Sequence, residues 1–218
     1  MRNFDKRALA VYLVTDRPLC NGRDLVDVVI SGVNGGVTMV QLREKECDTA
    51  EFIELAMALK SQLSAKGVPL IINDRVDVAL ACDADGVHIG ASDMPYAIAR
   101  RLLGDDKIIG LSVESMEEVE KANELDVDYI GISPVFSTAT KKDIKKPFEL
   151  EGLSRAASIS RHPVVAIGGI KVDNAEDVFL SGADGVAVVS AICSADAPSE
   201  AAKSFLDIYK RIKTFKNE

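Results

Sequence analysis

The apolar run Leu70-Ile-Ile72 passes within one residue into Asn73-Asp74-Arg75, placing an amide, a carboxylate and a guanidinium on consecutive positions. A second dense stretch, Gln41-Leu-Arg43-Glu-Lys45, also follows a short apolar run, and Asp93 stands just beyond Gly86-Val-His-Ile-Gly90. Two carboxylates directed at one place repel each other unless a cation lies between them. Mg²⁺ typically takes one or two carboxylates and completes its shell with phosphate oxygens and water. Asp74 and Asp93 are therefore candidate metal ligands, with Asn73 placed to hydrogen-bond a ligand and Arg75 to pair a nearby acid. Arg43, Lys45 and Lys141 would add three positive charges around them. A metal and three cations exceed the need of a monophosphate and suit a diphosphate.

A second anion site rests on backbone rather than charge. The Ile167-Gly-Gly-Ile170 turn and Val189-Ser-Ala191 can offer bare N–H groups and a helix N-terminus to a phosphate, as barrel enzymes do after their last two strands. One substrate with a diphosphate and another with a monophosphate suggest displacement of pyrophosphate. Each residue also has a plainer reading. Asp74 and Asp93 could be N-caps of the helices that follow. Arg43 and Lys45 could be solvated loop charges, and His88 a strand-end imidazole bonded to a neighbour. His162 is expected at the surface of the opposite rim.

The elements that must carry these residues alternate along the chain. Strands are expected at Ala8–Val14, Val37–Leu42, Val68–Ile72, Gly86–Ile89, Lys107–Leu111, Asp128–Ile132, Pro163–Ile167 and Gly185–Val189. Helical spacing intervenes between them, with capping boxes at Asp48/Glu51, Ser115/Glu118 and Asp173/Glu176. About eight βα units favour a closed α/β fold, a (β/α)₈ TIM barrel, with residues 1–218 forming one domain and the active site at the carboxyl ends of the strands. A doubly wound open sheet would usually show a glycine-rich turn after its first strand, and Leu13-Val-Thr-Asp-Arg-Pro18 has none.

Composition narrows the partners. A net charge of −8 argues against a nucleic-acid binder, which would need a basic stripe. The start lacks an apolar h-region and no later apolar run is long enough to span a bilayer, so no membrane partner and a cytoplasmic setting are expected. Cys20, Cys47, Cys82 and Cys193 lack CxxC spacing and read as reduced, mostly structural thiols.

Taken together, Gln41-Leu-Arg-Glu-Lys45, Ile72-Asn-Asp-Arg75, Gly86-Val-His-Ile-Gly90 with Asp93, Gly110-Leu-Ser112, Thr138-Ala-Thr-Lys141, Ile167-Gly-Gly-Ile170 and Val188-Val-Ser190 resemble the thiamine phosphate synthases, in family order over nearly the whole chain. The resemblance implies a TIM barrel and Mg²⁺-dependent joining of an aminopyrimidine diphosphate to a thiazole monophosphate, releasing pyrophosphate through a pyrimidinylmethyl cation. By that analogy Gln41, Arg43, Lys45, Asn73, Ser112 and Lys141 bind the pyrimidine diphosphate, with Arg43, Lys45, Ser112 and Lys141 acting catalytically. Asp74 and Asp93 hold Mg²⁺, and Thr138, Thr140, Gly169, Val189 and Ser190 bind the thiazole phosphate. The partners are thus small phosphorylated molecules; dimers are frequent in the family, so a homodimer is allowed. Relatives often carry Gln-Glu where this chain has Ala91-Ser92, which bears on the metal's outer shell.

Three rivals share the scaffold. A thiazole tautomerase-like relative would dispense with the metal carboxylate after strand three, and here Asp74 is retained. A Schiff-base aldolase would need a lysine within a strand, whereas Lys45 and Lys141 lie in expected loops. A non-catalytic phosphate-binding barrel would keep the pocket and lose the reaction. The loop from Phe136 to Phe148, with Lys141, Lys142, Lys145 and Lys146, reads as a lid in which Lys145 and Lys146 are solvated.

Overall fold

The computed structural model describes residues 4–137 and 146–215. Eight parallel strands close into a barrel in sequence order: β1 Val11–Val14, β2 Met39–Leu42, β3 Leu70–Asn73, β4 Gly86–Ile89, β5 Ile108–Val113, β6 Tyr129–Ile132, β7 Val164–Ile167 and β8 Gly185–Val188. Helices follow them: α1 Leu25–Gly35, α2 Thr49–Ser64, α3 Val76–Ala81, α4 Tyr96–Leu103, α5 Met116–Ala122, α6 Glu149–Ile159, α7 Ala175–Leu180, α8 Ser190–Cys193 and α9 Pro198–Phe215. Among the described residues no helix is long and apolar enough to cross a membrane.

Period-two alternation sorts each strand between two cores. Outward side chains such as Leu13, Val40, Ile72, Val87 and Ile130 pack under the helices. Inward ones, including Tyr12, Val14, Met39, Ile71, Tyr129, Val165 and Ala187, fill the barrel with Leu9. Because Val14 pairs in register with Gln41 and Asn73 with His88, the polar residues near the strand ends share the inner face toward the carboxyl mouth.

The first expected strand is shorter than its apolar run. Lys6–Leu9 winds into a 3₁₀ turn whose start is capped by Asp5, and Leu9 is fully buried as a plug beneath the barrel. Strand β5 is longer than expected and ends at Val113, so Ser112 lies on the strand rather than after it. At Asp48 and Ser115 the cap half of the expected box forms, each side chain accepting from the N–H three residues on, while the Glu51 and Glu118 carboxylates accept from Arg17 and from the Glu114 N–H. The Asp173/Glu176 box does not form. Helix α7 is preceded by Asn174, whose Oδ1 accepts from Lys171 N–H instead of from its own helix.

Candidate active site

Strand β3 ends in Asn73, and Asp74 then adopts the left-handed conformation at φ +62°. Its N–H donates to the His88 carbonyl at 2.9 Å, which binds the turn to β4. This turn excludes the capping role for Asp74: helix α3 has Arg75 at its cap and no side-chain cap bond. Arg75 pairs with Asp77 at 2.6 Å and reaches Thr49, as an acid-pairing guanidinium should.

Asp93 is likewise no helix cap, since Pro95 precedes α4. Its Oδ2 instead accepts from Gly90 N–H at 2.7 Å, folding the loop back toward the barrel mouth. There it meets Asp74. Burial, and after it contact with the Asp74 carboxyl, hold Asp93 above the ordinary carboxylate value against the pull of the Gly90 N–H. Lys45 Nζ lies 2.6 Å from Asp74 Oδ2. Two neighbouring carboxyls are oxygen donors that a hard divalent cation fits, and the Lys45 ammonium pairs with one of them here. Among the described residues no three His, Cys, Asp or Glu side chains gather into a cage, so a metal here would depend on ligand oxygens for the rest of its shell.

Arg43 stands on the same rim. Its guanidinium approaches Asp16 Oδ2 at 3.3 Å, and its backbone N–H donates to the buried Thr15 hydroxyl at 2.9 Å. Asp16, two residues beyond the end of β1, pairs with this guanidinium, a contact that the sequence does not signal. Gln41 and Ser112 point inward and join a buried row of hydrogen bonds through Tyr12, Tyr129 and His88. His88 is therefore bonded to neighbours at both ring nitrogens. His162, half-buried rather than free at the surface, lies 2.9 Å from the Ala122 carbonyl through Nε2.

Across the mouth, Gly168 and Gly169 take φ +106° and +66°, conformations that side chains rarely adopt. A Cβ at Gly168 would sit 2.7 Å from Pro134 Cβ and one at Gly169 2.8 Å from the Ser137 carbonyl. The glycines thus let the β7 turn run against the chain leaving β6. Asn174 Nδ2 donates to the Gly169 carbonyl at 3.1 Å, so the residue that replaces the expected cap ties down the turn. The N–H groups of Gly169, Ser190 and Ala191 donate to no acceptor among the described residues. Helix α8 begins beside them. Thr138, Thr140, Lys141, Lys142 and Lys145 lie outside the described residues; Lys146 is exposed, and the Phe148 N–H donates to the Pro134 carbonyl, joining the two ends of that loop.

A barrel mouth with acids and an ammonium on one side and bare amides on the other suits substrates that carry phosphate. Fold and site together define a phosphate-handling (β/α)₈ enzyme. Comparison with known proteins narrows the class. The family model described as thiamine monophosphate synthase matches residues 11–192, and the chain belongs to that family. It is 56% identical over 196 residues to the thiamine-phosphate synthase of Albidiferax ferrireducens, covering 90% of each chain. It is 51% identical over 204 residues to the Vibrio parahaemolyticus thiamine-phosphate synthase, covering 92% of this chain and 98% of that one. The solved thiamine phosphate pyrophosphorylase of Pyrococcus furiosus superposes with a TM-score of 0.87 at 37% identity, covering 95% of this chain and 98% of that one. These findings favour neither the tautomerase nor the non-catalytic barrel, and Lys45, half-exposed in a loop, is not the buried strand lysine of a Schiff-base aldolase.

Proposed function

We propose that this chain joins 4-amino-2-methyl-5-(diphosphooxymethyl)pyrimidine to 4-methyl-5-(2-phosphooxyethyl)thiazole, giving thiamine phosphate and pyrophosphate, with Mg²⁺ held by Asp74 and Asp93. The Lys45 ammonium 2.6 Å from the Asp74 carboxylate, on the turn after β3, and the Asp93 carboxyl folded back to the same mouth by the Gly90 N–H are the observation that carries the reading. Bound there, the metal would supply positive charge to the diphosphate oxygens as they become a leaving group.

The protein's own groups do the rest. Gln41, Asn73 and Ser112 would orient the pyrimidine diphosphate, while Arg43, Lys45 and Lys141 neutralise charge that builds on the departing oxygens. The methylene C–O bond breaks with its electron pair going to pyrophosphate, and the thiazole nitrogen donates its lone pair to the resulting pyrimidinylmethyl cation. That nitrogen carries no proton to remove, so the site needs no general base. Amides of Gly169, Val189 and Ser190, with Thr138 and Thr140, would hold the thiazole phosphate on the opposite side. A preorganised donor to a developing anion is typically worth about 3 kcal/mol, roughly a hundredfold in rate. A cytoplasmic setting suits the free Cys20, Cys47, Cys82 and Cys193.

Incubating the purified chain with both substrates and Mg²⁺ tests the reading. Thiamine phosphate and pyrophosphate should appear in equal amounts. Intact substrates after prolonged incubation would overturn the assignment.

A further inference from the structure

Between Gln41 and Ser112 the barrel interior carries an unbroken row of hydrogen bonds. Gln41 Nε2 donates to the Tyr12 hydroxyl at 2.8 Å, and the Tyr12 and Tyr129 hydroxyls lie 2.8 Å apart. Tyr129 Oη is 3.0 Å from His88 Nδ1, and His88 Nε2 is 2.8 Å from Ser112 Oγ. The middle of the row is sealed, with Tyr12 and Tyr129 fully buried. A Cβ at Gly110 would collide with the Tyr129 ring and sit 2.6 Å from His88 Nδ1, while one at Gly131 would lie 3.2 Å from His88 Cε1. Two glycines on neighbouring strands therefore make the space in which this pair of rings stacks, with centroids 5.5 Å apart.

The donor at one end fixes the direction of the whole row. An amide NH₂ donates and does not accept, so Tyr12 accepts from Gln41. Tyr129 is its remaining hydrogen-bond partner among the described residues. Were Tyr12 to accept there too, its own proton would be buried without an acceptor. Tyr12 therefore donates to Tyr129, and the Tyr129 proton goes to His88 Nδ1. A ring nitrogen that accepts leaves the imidazole proton on the other. Nε2–H then donates to Ser112 Oγ, and the Ser112 proton is left for a ligand. Burial lifts both phenols well above their ordinary value, so each hydroxyl keeps its proton.

We propose that Gln41, Tyr12 and Tyr129 form a directional relay that holds His88 in its Nε2–H tautomer, so that Ser112 presents a proton rather than a lone pair to an anionic oxygen of the diphosphate. Tyr129 and His88 are positioning residues that act through Ser112. The ligand's identity rests on the function proposed above; the tautomer does not.

Long-range proton–nitrogen correlation spectra of the ligand-free full chain, labelled with [¹⁵N]histidine, read the tautomer directly. The chain has two histidines, and His162→Gln assigns the signals. His88 should appear as the Nε2–H tautomer; Nδ1–H, or any other protonation pattern, overturns the relay whether or not the protein turns over substrate. A kinetic cycle tests the consequence. Tyr129→Phe should raise the KM of the pyrimidine diphosphate about tenfold, the loss expected for one buried hydrogen bond, and leave the KM of the thiazole phosphate unchanged. In a Ser112→Ala background the same substitution should add nothing; additive losses would show that Tyr129 does not act through Ser112.

Discussion

The ammonium of Lys45 lies 2.6 Å from the Asp74 carboxylate, beside the second acid, Asp93. Lys45 sits on the loop after β2 and Asp74 on the turn after β3, so a parallel pair of neighbouring strands sets this contact. In the proposed reaction Lys45 exchanges this carboxylate for diphosphate oxygens as substrate and Mg²⁺ arrive. Lys45 and the divalent ion are then competitors for Asp74 until the substrate reconciles them.

Lys45→Met should accordingly bind Mn²⁺ more tightly than the parent protein when no substrate is present. An ion pair this exposed is worth up to about 1 kcal/mol, or several-fold in affinity. The same variant should lose about a hundredfold in turnover, as expected when a donor to the leaving group is removed. Electron paramagnetic resonance titration of free Mn²⁺ measures the first effect, and weaker Mn²⁺ binding by the variant would rule out the competition.

Asp74→Asn is the informative way to remove a metal ligand. Asn tolerates the left-handed backbone at φ +62°, whereas Ala there would add a conformational cost of about 1–2 kcal/mol. Turnover should fall at least a hundredfold, about 3 kcal/mol, with the unfolding midpoint close to that of the parent. Near-parental turnover at low Mg²⁺ would remove Asp74 from the metal site.

Asn174→Ala frees the Gly169 carbonyl from its 3.1 Å tie. The KM of the thiazole phosphate should rise severalfold, consistent with a hydrogen bond worth about 1 kcal/mol. The KM of the pyrimidine diphosphate should stay put. Equal changes in both would mean that Asn174 supports the fold rather than the turn.

Asp16→Asn tests how Arg43 is aimed. The substitution keeps the shape of the 3.3 Å contact and removes its charge. It should raise the KM of the diphosphate about threefold, as fits a partly exposed pair, and leave thermal stability nearly unchanged. A larger effect on thiazole phosphate would contradict this placement.

Much of this was legible in the chain because a parallel barrel repeats one short signal. Apolar runs of strand length followed by polar residues located Asn73, Asp74 and Asp93 on the correct rim. What escaped depends on closure or on choices between equivalent local patterns. Ala8-Leu-Ala10 reads as strand, yet Leu9 is needed as a plug and winds into a 3₁₀ turn. Asp173 and Asn174 are both good caps, and only the nearby Gly169 carbonyl shows what Asn174 does. Tyr12 and Tyr129 lie 117 positions apart, so no local pattern could pair them. Strand-end reasoning applied to β1 reaches Asp16 but not its pairing with Arg43.

The paired acids are tested most directly by a crystal of the full chain grown with pyrophosphate and Mn²⁺ in place of Mg²⁺. The anomalous map should show one peak bridging the bound diphosphate and an oxygen from each of Asp74 and Asp93, at about 2.1 Å. Asp74 and Asp93 turned apart, with the peak held by other residues or missing beside bound pyrophosphate, would contradict the account.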